Sequence, residues 1–194
     1  MQSQISDLVI HVFGHSSADP AAVATAFAGV IPTTPSADAD LAIFAINPSA
    51  GIDQVTIDMW SQLDDFQTPR LVVVTGLEKQ EADFDDAVMI ANRVFDQMIT
   101  PFLVLHDEAG LPIALISLQD LTIINYATTP PTRSASEPEH QTLVQEFRDE
   151  YLELLVFSGE DAFQAGLQFP AIPLWIERGI GVDIVESYIR QLSK

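Results

Sequence analysis

Residues 41–74, LAIFAINPSAGIDQVTIDMWSQLDDFQTPRLVVV, decide the fold class. The segment opens with one short apolar run, residues 41–46, and closes with another, residues 71–74, and both are typical of strands buried inside a parallel sheet. Between the two runs, apolar residues recur at approximately helical spacing, at Ile52, Val55, Ile57, Trp60 and Leu63. This order of strand, helix and strand predicts a βαβ unit.

The same pattern extends on both sides of this unit. Upstream, residues 8–13 (LVIHVF) predict a buried strand that ends at Gly14, and Asp19-Pro20 reads as the N-cap and first residue of a helix over residues 21–29. Downstream, residues 82–98 predict a helix and residues 102–105 a fourth strand. Four such repeats predict a doubly wound, mainly parallel α/β sheet with helices on both faces.

The pattern changes after residue 105. Residues 111–126 look like a hairpin, the polar linker TTPPTRSASEPEH follows at 128–140, and residues 139–157 predict a helix with an acidic outer face. Gly159 breaks this helix, and a second helical segment reaches residue 168. The chain then returns to the sheet at residues 170–174 and ends in an amphipathic helix over residues 182–192. We therefore expect a core of residues 1–105 and 170–194 with an inserted α+β subdomain at residues 106–169.

Composition narrows the class of partner. The 28 acidic and 8 basic residues give a net charge of −20, which disfavours DNA, RNA and anionic membranes through long-range repulsion. There is no cysteine, which fits a reducing cytoplasm, and residues 1–4 carry no basic residue of the kind that opens a signal peptide. We expect a cytoplasmic chain without a membrane span.

The loop after the first strand lacks the groups that grip phosphates. A phosphate-binding loop reads G-x-x-x-x-G-K-[ST], in which backbone N–H groups, a lysine and a hydroxyl hold the phosphates and magnesium. This loop keeps Gly14, but Asp19, Pro20 and Ala21 stand where the second glycine, the lysine and the hydroxyl belong. The aspartate is expected to cap the helix, occupying the place of a phosphate.

At this point the chain resembles elongation factor G and the related ribosomal protection proteins, over most of its length and in the same order. Residues 41–88 resemble the family's stretch from A-V-V-V-x-D-A-x-x-G-V to P-R-I-V-F-V-N-K-x-D-R-x-x-A-D-F, and residues 8–22 resemble its strand and G-H-S-G-S-G-K-T loop. Residues 170–192 resemble its P-V-L-x-G-S-A-x-x-N-x-G-V-x-x-L-L-D-x-V end. The resemblance implies a P-loop-GTPase-like fold, with residues 106–169 as the insertion that in this family helps contact the ribosomal stalk protein.

The departures from the family pattern bear on function. Thr75-Gly76-Leu77-Glu78 replaces the guanine-recognising N-K-x-D, and Trp175-Ile176-Glu177 falls near the S-A-x loop, where the tryptophan could plug the site. Only residues 30–40 separate the first helix from the next strand, too few for the two switch regions. The expected remnants of a nucleotide site are Gly14, His15, Ser16, Ser17, Asp19, Thr75, Gly76, Glu78 and Trp175.

Simpler interpretations of individual motifs remain open. His15-Ser16-Ser17 with Asp19 could suggest a hydrolytic triad, but a turn and helix cap is favoured because neighbouring loop residues seldom converge in that geometry. His106-Asp107-Glu108 reads as a solvated loop in preference to a metal site, and the aspartate clusters at 64–65 and 83–86 read as solvated helix ends. Trp60 is expected in the core.

These observations predict a pseudo-GTPase, an interaction or regulatory module without catalytic residues, metal or cofactor. Its partner is an unidentified protein, expected at the insertion, in a ribosomal or translational context. The alternative for the insertion is a self-contained subdomain without a partner, in which most of the apolar residues of the helix, at Leu143, Phe147, Tyr151 and Leu155, pack on the hairpin. The alternative is a nucleotide-binding protein or hydrolase that reaches the base by another route, for instance through Glu78 and the Thr75-Gly76 backbone.

Overall fold

The computed structural model describes residues 7–79 and 81–193, and the prediction about residues 1–4 lies outside this part of the chain. Five parallel strands form the central sheet in the order β1-β2-β3-β9-β4. Their bounds are β1 Ile10–Phe13, β2 Leu41–Ile46, β3 Arg70–Val74, β4 Met98–Ile99 and β9 Phe169–Pro173. The predicted parallel sheet is therefore confirmed.

Helices cover both faces of this sheet, as the βα repeats predict. Two of them, α1 (Pro20–Ala26) and α5 (Val182–Leu192), pack on one face, and α2 (Gln54–Gln62) and α3 (Phe84–Val94) pack on the other. Alternation along β2 explains the two layers: Leu41 and Ile43 join the first cluster, and their neighbours Ala42 and Phe44 join the second. Every residue of β2 is consequently buried.

A buried arginine, Arg70, lies at the start of β3 and bonds to residues at the end of α2. Arg70, 2% exposed, donates from one guanidinium nitrogen to the Trp60 carbonyl (3.0 Å) and to the Asp64 carboxylate (2.7 Å). Its guanidinium lies 4.7 Å from the centre of the Trp60 ring and 4.5 Å from that of Phe169. Trp60 is a core residue, as expected, and the aspartate that follows α2 is an ion-pair partner of the core.

A second, antiparallel sheet lies beside the first, with strand order β5-β6-β7-β8. Its strands are β5 Phe102–His106, β6 Pro112–Ser117, β7 Thr122–Asn125 and β8 Thr132–Ala135, and the long helix α4 (Pro138–Ser158) follows. One face contacts α4 through residues such as Ile116 and Tyr151, and the other joins the α5 side of the main core through Leu115 and Ile124. The predicted hairpin at 111–126 is confirmed as β6 and β7.

Several expected elements are placed differently. Residues 102–105 belong to the antiparallel sheet as part of β5, and the neighbour of β9 is instead the two-residue strand β4. Thr100-Pro101 separates the apolar runs that form β4 and β5. The hydrophobic pattern predicts a strand at the longer run, but it does not indicate which sheet that strand joins. The expected helix 82–98 accordingly stops at Val94. The division at residues 105/106 and 169/170 stays a prediction.

The other two corrections concern the insertion. The polar linker contains β8, whose four side chains are all exposed and therefore leave no alternating pattern. Residues 160–166 form turns instead of a second helix. Gly166, at φ +68°, passes so close to the backbone of Gln67 that a Cβ there would lie 2.2 Å from its carbonyl oxygen. Only glycine fits this close approach at residue 166.

Candidate functional site

A cavity of about 200 Å³ opens beyond the carboxyl ends of β1, β2, β3 and β9, where open parallel sheets bind ligands. It is lined by Ser17, Ala18, Asp19, Ala22, Val23, Asn47, Thr75, Gly76, Glu78, Lys79, Leu174, Trp175, Ile176 and Glu177. Six of the nine residues expected from the sequence line it, and Gly14, His15 and Ser16 lie outside its lining. We call this region the nucleotide face, because the corresponding edge of the sheet binds a nucleotide in the family that the sequence resembles.

Gly14 has a packing role. It follows β1 directly, and a Cβ at this position would lie 2.5 Å from the carbonyl oxygen of Ala45 in β2. Two backbones therefore approach each other where only glycine fits. After this contact the chain turns through a single 3₁₀ turn, Ser16–Ala18, before α1 begins.

The N–H groups of this turn are bonded inside the protein. The Ser17 amide donates to His15 Nδ1 (3.2 Å), that of Ala18 to the His15 carbonyl (2.9 Å), and that of Asp19 to the Ser16 carbonyl (3.1 Å). The Ala22 amide, in the first turn of α1, donates to Asp19 Oδ1 (3.2 Å). Asp19 is therefore the N-cap, as predicted, and it holds a left-handed backbone at φ +50°. Four donors near the site are already occupied.

Two further side chains tie the turn to the neighbouring strands. Asn47, 4% exposed, donates to the Ser17 carbonyl (2.8 Å) and accepts from the Ser49 amide (2.9 Å). The Thr75 hydroxyl donates to the Ala18 carbonyl (2.8 Å). Gly76, at φ +73°, lies against Asn47, and a Cβ there would stand 2.8 Å from the Asn47 amide nitrogen. The buried polar groups of this wall are thus satisfied without a ligand.

Charge at the nucleotide face is mostly negative. Three carboxylates, those of Asp19, Glu78 and Glu177, line the cavity with a single cation, Lys79. Within residues 7–79 and 81–193, Lys79 makes no ion pair. Trp175 forms part of the wall, and the Arg178 guanidinium lies 4.7 Å from the centre of its ring. The cavity stays open beside this side chain, so Trp175 lines the site without filling it.

The remaining candidate motifs do not assemble into catalytic sites. His15 Nδ1 lies 2.9 Å from Ser17 Oγ, but Asp19 is engaged at the helix cap and does not orient the imidazole. In the described part of the chain, no group of three or more His, Cys, Asp or Glu side chains could hold a metal ion. Asp107 instead accepts from the Ala109 and Leu111 amides in a turn.

Within the described residues, no helix is long and apolar enough to cross a bilayer.

Two polar lining residues were missed by sequence reasoning. Asn47 is the first residue after β2, and Lys79 follows the Thr75–Glu78 stretch. A polar residue directly after a buried parallel strand is the signal that could have identified Asn47, because such positions meet at one edge of the sheet.

The insertion presents an apolar surface that is exposed to solvent. Along α4, Leu143 is 75% exposed, Phe147 45%, Val156 83% and Phe157 80%, whereas Tyr151 is 5% exposed. Of the four apolar positions named from the sequence, Tyr151 and Leu155 pack against the inserted sheet, whereas Leu143 and Phe147 are exposed. The expected packing of this helix on the hairpin therefore holds for only part of it. The sheet below is only four strands wide and covers one stripe of a helix whose apolar residues occupy more than one side.

A groove of about 310 Å³ runs between α3 and α4 beside these exposed side chains. Its apolar walls include Val88, Met89 and Phe147, and the carboxylates of Asp85 and Glu150 stand among them. Burial, together with the charges of Asp83 and Asp86, raises the pKa of Asp85. We call this groove and the exposed side of α4 the insertion face.

The inserted sheet is bonded to α5. The Tyr126 hydroxyl at the end of β7 donates to Asp183 Oδ1 (2.8 Å), and Arg133 of β8 pairs with Asp183 Oδ2 (3.2 Å). Burial and the Asp183 carboxylate raise the pKa of Tyr126. Asp183 lies in the first turn of α5, directly after the loop that carries Trp175. The inserted sheet is therefore fastened to the helix that follows the cavity-lining residues 174–177.

Comparisons with known proteins show which proteins this chain resembles. No family model matches the chain. It is 26% identical over 172 residues to an elongation factor G-like protein of Mycobacterium tuberculosis, covering 78% of this chain and 24% of that protein. It is 27% identical over 131 residues to the mitochondrial ribosome-releasing factor 2 of Anopheles gambiae, covering 65% of this chain and 18% of that protein. The chain is related to elongation factor G-like proteins.

A solved structure agrees on the fold. A crystal structure from Thermus thermophilus superposes with a TM-score of 0.70 at 24% identity, covering 81% of this chain and 27% of that one. The chain thus spans about a quarter of the length of the proteins that it matches. The relation inferred from the sequence is confirmed at this level, and what the relatives do as whole proteins does not transfer directly to so short a segment.

Proposed function

We propose that this chain is a pseudo-GTPase, a G-domain-like scaffold that acts as an interaction or regulatory module without hydrolysing nucleotide. The observation that carries the proposal is the first loop, in which the Ser17, Ala18 and Asp19 amides bond within the protein and Asp19 caps α1. Phosphate binding at such a position requires unpaired backbone donors and a nearby cation. Binding a nucleotide here would first require breaking native hydrogen bonds.

Size and charge argue in the same direction. The cavity, at about 200 Å³, is smaller than the roughly 300–1,000 Å³ common for small-molecule sites. Three carboxylates around one lysine would also repel a polyphosphate. Pro20 stands where the family loop has its lysine, so no cation on α1 offsets this repulsion.

The competing route to the base through Thr75, Gly76 and Glu78 has less support. The Thr75 hydroxyl already donates its hydrogen bond to the Ala18 carbonyl, and the Gly76 backbone packs against Asn47. Glu78 alone is exposed and free to accept hydrogen bonds from a base. A site with one such contact would discriminate weakly among nucleotides.

The insertion face is the proposed binding surface for a protein partner. Its exposed apolar side chains, among them Phe147 and Met89, would supply buried contact area, and Glu146, Asp149 and Glu150 would attract a basic surface. The names of the relatives, an elongation factor G-like protein and a ribosome-releasing factor, favour a partner associated with the ribosome or with translation. The net charge of −20 makes direct contact with RNA or DNA an unfavourable alternative.

Turnover measurements test the proposal. The purified chain, incubated with GTP and Mg²⁺, should release phosphate no faster than the buffer alone. Phosphate release that scales with protein concentration and is reduced in Glu78→Gln would contradict the proposal and support the competing route. A matched Glu81→Gln variant, three residues away and outside the cavity lining, controls for the change in net charge.

A further inference from the structure

A second polar pocket lies away from the nucleotide face, between α4, α5 and the inserted sheet, and it shares Tyr151 with the groove of the insertion face. Its volume is about 170 Å³, and its lining consists of Pro101, Phe102, Ser117, Gln119, Tyr151, Ser187, Tyr188 and Gln191. None of these side chains is charged, although the chain carries 36 charged residues, 28 acidic and 8 basic. A neutral pocket within so acidic a protein selects against ionic ligands, because no lining group could balance their charge.

The lining is rich in groups that both donate and accept hydrogen bonds. Hydroxyls and carboxamides provide this double capacity at Ser117, Ser187, Gln119 and Gln191. The Ser187 hydroxyl donates to the Ile184 carbonyl (2.6 Å), which leaves its oxygen available as an acceptor. Groups of this kind match the hydroxyls of a polyol, which also donate and accept.

Two phenols complete the pocket. Tyr151 is 5% exposed, and its hydroxyl makes no hydrogen bond with residues 7–79 or 81–193. The ring of Tyr188 packs edge-on against Phe163, with 4.9 Å between ring centres. Burial raises the pKa of both phenols, so they stay neutral donors at physiological pH. The Tyr151 hydroxyl is accessible from the cavity, so a bound polar molecule would replace solvent as its hydrogen-bond partner.

From this arrangement we propose that the pocket binds a small uncharged polyol, of a size between glycerol and a pentose. The hydroxyl and carboxamide groups would pair with the ligand's hydroxyls, while the rings of Phe102 and the two tyrosines would contact its C–H faces. The proposal is independent of the nucleotide face, since the two cavities share no residue.

An NMR titration with D-ribose and glycerol tests the proposal. The side-chain amide signals of Gln119 and Gln191 should shift saturably, with a dissociation constant of about 1–10 mM, the range expected for a ligand with so few atoms. The amide signals of Gln54 and Gln145, which bond to Asp58 and Asp149 on exposed helix surfaces, serve as internal controls and should not saturate. Ribose 5-phosphate should bind at least about tenfold more weakly than ribose because no cation lines the pocket.

Tyr188→Phe removes one hydroxyl and should weaken ribose binding about threefold to tenfold. Gln191→Leu changes an exposed residue, so it tests the pocket even if the tyrosine variant fails to fold. Shifts that grow linearly without saturation, or a Gln119 response that is unchanged in Gln191→Leu, would overturn the proposal. Equal affinity for ribose and ribose 5-phosphate would also overturn it, because it would show that the pocket does not select neutral ligands.

Discussion

The nucleotide face and the insertion face differ in what they leave unsatisfied. At the nucleotide face, Asn47 and Thr75 donate to carbonyl groups of the first turn, and the amides of that turn donate to acceptors within it. At the insertion face, apolar side chains such as Phe157 and Leu143 stand in solvent. The comparison teaches that one edge of a scaffold can satisfy its polar groups with internal hydrogen bonds while another surface leaves apolar side chains exposed.

The strongest test of the closed face is Asn47→Ala. The change leaves the Ser17 carbonyl and the Ser49 amide without their partner, and it should lower the free energy of unfolding by about 2–3 kcal/mol. Chemical denaturation monitored by Trp60 and Trp175 fluorescence measures this loss. Gln54→Ala, which removes an exposed hydrogen bond to Asp58, is the matched control and should stay within about 0.5 kcal/mol of wild type. A loss below that value for Asn47→Ala would mean that the first turn is not held by this side chain.

Reversing the charge of acidic residues on α4 tests the role of the insertion face. Changing Glu146, Asp149 and Glu150 to lysine should slow association with a basic partner about tenfold or more, since steering depends on opposite charge, while the chain stays folded. Surface plasmon resonance at two salt concentrations measures the on-rate once a partner has been isolated. The matching control reverses Asp38, Asp58 and Asp65, which are exposed and lie outside α4. An unaltered on-rate in the α4 variant, with binding lost in Trp175→Ala, would move the interface to the nucleotide face.

Asp19→Ala should destabilise the chain by about 1–2 kcal/mol, since it removes the cap of α1 and places alanine at a positive φ. Asp19→Asn retains both the cap and the tolerance for this backbone, so its melting temperature should stay near that of wild type. Equal melting temperatures for the alanine and asparagine variants would show that the cap contributes nothing.

The smallest expected effect belongs to the insertion face. Phe157→Ser should change the free energy of unfolding by no more than about 0.5 kcal/mol, because the side chain is 80% exposed. Denaturant unfolding at several protein concentrations checks this value. A loss of several kcal/mol that depends on concentration would indicate that the side chain is covered by a second copy of the chain.

Local signals were enough to predict part of this structure. The bounds of β2 and α5 match the expected residues 41–46 and 182–192, because a fully apolar run and a strongly amphipathic helix each carry their own pattern. Asp19-Pro20 likewise identified the start of α1. The assignment of β5 to the inserted sheet was not readable, since strand pairing depends on contacts between residues far apart in sequence.

The candidate site was predictable to a similar extent. Asp19, Thr75 and Glu78 follow strands and were expected at the cavity, whereas the roles of Asn47 as a brace and of Gly14 as a packing contact depend on neighbouring strands. The exposure of α4 was missed because apolar composition alone does not say how wide the covering sheet is. These properties arise from tertiary packing and have no local pattern.

Calorimetric titration of the chain with GTP and with GDP, each with Mg²⁺, tests the central claim most directly. The closed first turn predicts no binding, or a dissociation constant weaker than about 10 μM, which corresponds to a binding free energy of about −7 kcal/mol. A dissociation constant tighter than this for either nucleotide would contradict the account, because it would require the Ser17, Ala18 and Asp19 amides to be available to phosphate.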